Sequence, residues 1–437
     1  MKATEPVDEG AAAPLPGAAA APPREPPHAA IWPKRLPRRL TIPETTLWFN
    51  LEVSARRYPD KPAYLFFGRP LTFGALHAQA EALAGWLQAH GVRRGDRVLV
   101  YLQNCPQFVV AFYAVQRADA VVVPVNPMNR ADEFGHYITD PEARVAITSA
   151  DLAGIVAEAN GRLPEATRLR HVLATRLCEA MPDVVDEAER PSDAVLDWLR
   201  ADPPLPPGCT RWADALAAGH APAGPPQALP DDLALLPYTS GTTGLPKGCM
   251  HTHRTLMANV VGGGLWGYAS ADAVSLAVVP MFHITGMMYN VLGCIYLGST
   301  LVLMPRWDRE LAGRLISRHR VTHWTCIPTM VIDLFGSPNY KRFDLSSLRY
   351  LSGGGAAMPQ AVAERLRDEF GLTFCEGYGL TETAAPSHSN LPERAKLQCL
   401  GIPIFGVDSR IVDPDTLAEL PPGQAGEIVT HGPMVFT

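Results

Sequence analysis

Long unbroken hydrophobic runs are missing from this 437-residue chain, as are paired cysteines, an excess of basic charge and a secretory leader. The one stretch free of Asp, Glu, Lys and Arg that could qualify as a membrane span, residues 273–305, is broken by Pro280, His283, Gly286, Asn290, Gly293 and Gly298. A spanning helix needs ~20 mainly apolar residues in a row, so this stretch reads as strand, helix and strand inside a core. The eight cysteines, at 105, 178, 209, 249, 294, 326, 375 and 399, form no C-x-x-C pair. That excludes a zinc ribbon and a disulfide framework, and it points to a reducing, cytoplasmic setting. Lys and Arg total 38 against 44 Asp and Glu, a net charge of −6. Nucleic acid and anionic membrane therefore find no electrostatic footprint here. Glu5, Asp8 and Glu9 stand where a signal peptide needs its apolar region.

What the chain does have is core: 47% of its residues are hydrophobic and 19% are charged. Its length allows about three domains. Its 42 prolines concentrate in an Ala/Pro-rich leader, residues 1–45, expected to be flexible, and in residues 203–230. After the leader, Thr72 sits at a helix N-cap, and Leu76, Ala80, Leu83 and Leu87 fall on one helical face before Gly91. β-prone runs at 97–102, 120–125 and 144–148 alternate with helical patterns at 107–117 and 130–139. The alternation resumes with strands at 274–279, 300–304, 321–327 and 348–352 and helices at 308–320 and 359–370. Strands separated by helices of this length imply βαβ units and parallel sheets. From Gly401 the helix signals stop, and short β-prone runs at 408–412 and 427–429 remain. The expected fold is α/β, two parallel-rich sheets layered with helices plus a small β-barrel-like piece. Its segments are residues 46–230, residues 231–399 with the chemical motifs, and residues 400–437 as the start of a β-rich part.

The strongest chemical signal is Tyr238-Thr239-Ser240-Gly241-Thr242-Thr243-Gly244-Leu245-Pro246-Lys247-Gly248. Glycines let backbone N–H groups approach an anion, hydroxyls donate hydrogen bonds, and one ammonium supplies a point charge for phosphate. It is not a Walker A loop, because Pro246 stands where that motif needs Gly, and Gly248 where it needs Ser or Thr.

This segment resembles the phosphate-binding loop of the adenylate-forming superfamily: acyl-CoA synthetases, peptide-synthetase adenylation domains and firefly luciferase. Three further segments are similar to that family in the same order. Ser352-Gly353-Gly354-Gly355-Ala356-Ala357-Met358 resembles its adenine-binding turn, with one glycine more than the commonest form. Glu376-Gly377-Tyr378-Gly379-Leu380-Thr381-Glu382 resembles its Y-G-x-T-E motif, and Pro280-Met281-Phe282-His283 its acyl-pocket segment. Among its branches the chain is most similar to long- or medium-chain fatty acid–CoA ligases.

The resemblance implies an AMP-forming acid–thiol ligase. A carboxylate attacks the α-phosphorus of ATP, and the thiol of coenzyme A then displaces AMP. In that reading Lys247, Thr381 and Glu382 are catalytic, with Glu382 the Mg2+ ligand. ATP is held by Thr239, Ser240, Gly241, Thr242, Thr243, Gly244 and Lys247. Gly355, Ala356, Ala357, Glu376, Gly377, Tyr378, Gly379 and Thr381 complete the nucleotide site. His283, Gly286, Met287 and Gly354 face the acyl group. Amino-acid adenylation domains place Asp where this chain has His283, so the implied substrate is an acid without an α-amino group, aliphatic before aromatic. The expected partners are the acid, ATP and CoA, and homo-oligomerisation stays open. The family's small C-terminal domain has no counterpart in the sequence, so weak adenylation and no thioester are expected of this chain. An aryl acid–CoA ligase or a luciferase-like relative is the rival among enzymes, and a nucleotide- and acyl-binding protein without turnover is the rival of another class. Gly262-x-Gly264-x-x-Gly267 follows a helix-like segment rather than a strand and is read as structural, as is His251-x-His253.

Overall fold

The computed structural model describes residues 27–239 and 244–437, whose strands gather into two large sheets. The seven-stranded sheet runs, in spatial order, His251–Thr252, Leu233–Leu235, Val121–Pro124, Arg97–Tyr101, Val145–Ser149, His171–Thr175 and Cys209–Arg211. All neighbours in it are parallel except His251–Thr252, which returns antiparallel on Leu233–Leu235. The nine-stranded sheet runs Ile402–Pro403, Ala385–Ser389, Phe374–Leu380, Tyr350–Gly353, His323–Cys326, Val274–Ala277, Thr300–Leu303, Pro62–Phe66 and Arg69–Thr72. Its six central strands are parallel, and the outer ones pair antiparallel. Each sheet takes strands from both sides of residue 230. Pro62–Thr72 joins the nine-stranded sheet, and the strands at 233–235 and 251–252 complete the seven-stranded one.

Strand side chains alternate between faces, and the two faces of the seven-stranded sheet carry different cores. Val98, Val100 and Ile147 share one core with Leu276, Leu301 and Trp324 of the other sheet. Leu99, Tyr101, Val121 and Val123 point the other way, onto Phe134, Tyr137 and Ile138 of the helix Ala131–Thr139. The helix Pro106–Arg117 contributes to the shared core and is buried at every position, as its uniformly apolar central run requires. Helix Phe73–Ala89 starts where the sequence places its cap: the Thr72 side chain accepts from Ala75 N–H at 3.1 Å. The apolar stretch 273–305 is strand, helical turns and strand, and among the described residues no helix is long and apolar enough to cross a membrane.

Two expectations are corrected. The end of the chain is a two-stranded antiparallel ribbon, Asp408–Val412 with Glu427–His431, and no closed barrel forms among the described residues. Two strands cannot wrap far enough to close. The leader is not loose throughout. Residues 1–26 lie outside the described residues, but residues 27–45 pack onto the body. The Trp32 ring meets Trp266 edge-on at 5.5 Å and Phe405 at 5.4 Å, and Arg35 pairs with Glu393 at 3.1 Å. An Ala/Pro-rich composition hid these anchors, because a few large rings suffice to dock a short strap.

Just beyond the strap, Leu47 N–H donates to Nδ1 of the buried His253 at 3.2 Å, and burial pushes that imidazole down to about 4. An unfolded histidine titrates near ~6.5, so below that pH the unfolded chain binds the proton first. Stability should be complete above pH ~6.5 and fall on acidification towards pH ~4, by up to about 3 kcal/mol from this group. Denaturant midpoints from pH 7 to 4.5 measure the loss. His253→Asn keeps an acceptor for Leu47 and cannot titrate, so it should flatten that part of the curve.

Candidate active site

In the nine-stranded sheet, Val274–Ala277 lies between Thr300–Leu303 and His323–Cys326, so successive connections leave it in opposite directions. Open α/β sheets bind ligands beyond the carboxyl ends of strands at such a switch point. A cleft of about 1360 Å³ opens there, and the motif segments border it. Asn104, at the matching end of the seven-stranded sheet, ties the edge of this crevice. Its amide donates to the carbonyls of Val278 and Val279 at 3.2 and 3.1 Å and accepts from Met281 N–H at 2.8 Å.

The phosphate-loop candidates stand on a short hairpin that pairs Thr239 with Lys247 and Tyr238 with Gly248. The Tyr238 hydroxyl donates to Asp140 at 2.5 Å, and His136 Nε2 donates to Pro246 O at 2.8 Å, so helix Ala131–Thr139 holds both sides of its base. Thr239, Gly244 and Lys247 line the cleft. Lys247 is exposed and makes no ion pair with a described residue. Ser240, Gly241, Thr242 and Thr243 lie outside the described residues.

The adenine-turn candidates explain their glycines. A Cβ on Gly353 would stand 1.8 Å from Cys326 O, and one on Gly354 2.4 Å from Gly377 O. Gly355 has φ +82°, the left-handed region. Gly354 and Gly355 line the cleft, while Ala356 and Ala357 are exposed beyond it.

Next to that turn runs Phe374–Leu380, followed by a single turn at Thr381–Thr383. Gly377, Tyr378, Gly379, Thr381 and Glu382 line the cleft, but Glu376 does not. Its carboxyl is turned inward and buried, with the backbone N–H groups of Met358 and Gln398 on it; burial dominates and raises its pKa. Two residues from the segment after the phosphate loop hold the Thr381–Glu382 turn. His251 is fully buried, which lowers its pKa, and its Nε2 donates to Thr381 O at 2.7 Å. The Asn259 amide lies 3.0, 2.9 and 3.1 Å from the carbonyls of Thr383, Ala384 and Pro386. They brace a strained corner, since Ala384 and Ala385 have φ of +50° and +73°. Phe436 N–H adds a bond to Glu382 O at 2.9 Å.

The acyl-pocket candidates divide. His283 lines the cleft as the N-cap of Ile284–Gly286, its Nδ1 accepting from Thr285 N–H at 3.3 Å. The surrounding wall lowers its pKa, so the ring is neutral with its proton on Nε2. Gly286 and Met287 are buried beneath it: a Cβ on Gly286 would meet Pro280 O at 2.0 Å. Sequence reasoning missed Trp266 and Tyr350, which line the cleft together with Tyr289. The only sequence signal near them was the glycine run 262–267, which is the end of helix His253–Trp266 and not a dinucleotide turn.

Two carboxylates line the cleft, Asp140 and Glu382, and Asp140 already accepts from the Tyr238 hydroxyl. Among the described residues no group of three or more His, Cys, Asp and Glu forms a metal cluster. Glu382 faces the cleft with no ion pair to a described residue, which suits Mg2+ held jointly by protein and substrate phosphates.

The model of the AMP-binding enzyme family matches residues 51–437. The chain belongs to that family. A long-chain-fatty-acid–CoA ligase of Bacillus subtilis (strain 168) is 31% identical over 423 residues, 94% of this chain and 73% of the relative. A feruloyl-CoA synthase of Amycolatopsis is 34% identical over 386 residues, 87% of this chain and 69% of the relative. Among solved family structures, a long-chain-fatty-acid-CoA ligase of Archaeoglobus fulgidus superposes with TM-score 0.76 at 24% identity, over 91% of this chain and 77% of that one. At that identity the structural likeness speaks for the fold, and the family assignment stands on the sequence matches.

Proposed function

We propose that this member of the family is an AMP-forming acid–thiol ligase that activates a fatty acid and transfers it to coenzyme A. The observation that carries the reading is the convergence of Lys247, Gly355, Tyr378, Thr381, Glu382 and His283 on one cleft at the switch point. The carboxylate oxygen attacks the α-phosphorus of ATP, a new P–O bond forms, and the bond to pyrophosphate breaks. Negative charge gathers on the phosphates, so positioned donors and cations dominate the rate. Lys247 brings its ammonium to the β- and γ-phosphates, the Thr381 hydroxyl donates to the α-phosphate, and Tyr378 offers its ring to adenine. The neutral His283 donates Nε2–H to the acid, which orients the carboxylate without neutralising it. Glu382 would hold Mg2+, which supplies charge neutralisation on the phosphate oxygens. In the second half-reaction the sulfur of CoA attacks the acyl carbon, the acyl–O bond breaks, AMP leaves and the thiol proton goes to solvent.

ATP–pyrophosphate exchange over a panel of aliphatic and aryl acids tests the reading, with strongest exchange expected for fatty acids. Preference for aryl acids would move the substrate class, and no exchange with any acid would leave a binding protein without turnover. Glu382→Gln keeps the shape and removes the charge. The Mg2+ concentration for half-maximal exchange should rise roughly tenfold or more, the scale on which even residues supporting metal ligands act. An unchanged Mg2+ midpoint would remove Glu382 from the metal site.

A further inference from the structure

Beside the cleft lies a second cavity of about 70 Å³, and the two share Gly263, Tyr289, Thr325, Tyr350 and Pro386 as lining. Tyr289 comes from the π-helical segment Met287–Gly293, a rare geometry that concentrates at functional sites. That segment is pinned at the residue that follows the ring, through both its side chain and its backbone. The Asn290 side chain donates to Val279 O at 2.8 Å, and the Tyr64 hydroxyl donates to Asn290 O at 2.7 Å. Opposite stands the glycine-rich end of helix His253–Trp266. A Cβ on Gly263 would sit 3.8 Å from the Tyr289 ring, and one on Gly267 3.2 Å from the Tyr350 ring. The glycines thus let two aromatic rings stand directly against helix backbone. The Tyr289 hydroxyl has no hydrogen bond to a described residue, so the ring is held by its backbone and by packing. Beyond it, Val260, Leu276, Met288 and Leu297 make the second cavity largely apolar.

We infer that Tyr289 is the septum that sets the length of acid this site accepts. The acid enters past His283 and its tail ends on the Tyr289 ring. The inner cavity is the space a longer tail would occupy if the ring were gone. This deepens the ligase reading and rests on it.

The test is binding of non-hydrolysable acyl-adenylate analogues of increasing straight-chain length to the chain, by calorimetry. In the wild type, affinity should rise about fourfold per methylene, the equivalent of ~0.8 kcal/mol per buried CH2, until the tail meets the ring, and then level or fall. Tyr289→Ala should move that break outward by about two methylenes, so the first two over-length analogues together gain roughly fifteenfold. Tyr289→Phe keeps the ring and should keep the break. Tyr289→Leu, with melting temperatures for every variant, covers the case in which the alanine variant fails to fold. The same break in Tyr289→Ala or Tyr289→Leu as in the wild type overturns the septum. Failure of the wild type to bind any analogue overturns the ligase reading instead, so the two outcomes are distinct.

Discussion

Replacing Lys247 with alanine should slow pyrophosphate exchange by about 10²–10³-fold, the usual effect of removing one preorganised charge contact from a developing anion. The fold should not notice. Lys247 is exposed, it makes no ion pair with a described residue, and its strand is only Lys247–Gly248. Surface substitutions of this kind stay within about 0.5 kcal/mol, so the denaturant midpoint should match the wild type. Exchange rate and midpoint are measured on the same preparations. A rate within a few-fold of wild type would detach this lysine, and with it the loop, from the phosphates.

Gly353→Ala should produce the opposite pattern, a loss of stability that takes activity with it. Gly353 sits in strand register between Cys326 and Glu376, and its Cβ would be 1.8 Å from Cys326 O and 3.1 Å from the Phe374 ring. A carbonyl of a neighbouring strand cannot swing away as a side chain can, so the sheet itself must part. Overpacking a tight core costs ~1–3 kcal/mol, and backbone overlap in mid-sheet belongs at or above the top of that range. Gly355→Ala is the control. Its φ of +82° makes alanine strained, but nothing lies within 4 Å of the added carbon, so a cost of only about 1 kcal/mol is expected. Equilibrium unfolding of both variants checks the contrast. Equal midpoints would show that Gly353 is not fixed by packing.

The contrast between these two positions also marks what a linear reading can reach. Alternating strand and helix patterns located most of the central strands, because buried parallel strands are continuous apolar runs and helix starts such as Thr72 and Asp308 are capped by their side chains. The motif segments were legible because the eleven-residue sequence from Tyr238 to Gly248 leaves few alternatives. Side-chain direction was not. Glu376 stands inside a matching motif, yet the pleat turns its carboxyl away from the cleft onto the N–H groups of Met358 and Gln398. Gly286 follows His283 closely in sequence but serves the turn beneath it. Trp266, Tyr289 and Tyr350 reach the cleft from three separate elements. Their convergence is a property of packing, and each taken alone looks like ordinary core. The anchoring of the strap by Trp32 was hidden for a related reason: one residue against Trp266 and Phe405 outweighs the composition around it.

The exchange of strands between the sheets has a mechanical consequence. Pro62–Thr72 edges the nine-stranded sheet although the chain then builds the seven-stranded one, and residues 233–252 come back to complete the latter before the chain leaves it. The chain is laced through both sheets like a thread through two boards. Pulling the boards apart would require unzipping a ladder of backbone hydrogen bonds, and Asn104 adds stitches at the seam. The cleft therefore cannot open like a book along its sheets. Nucleotide and acid must be admitted while both ladders stay zipped.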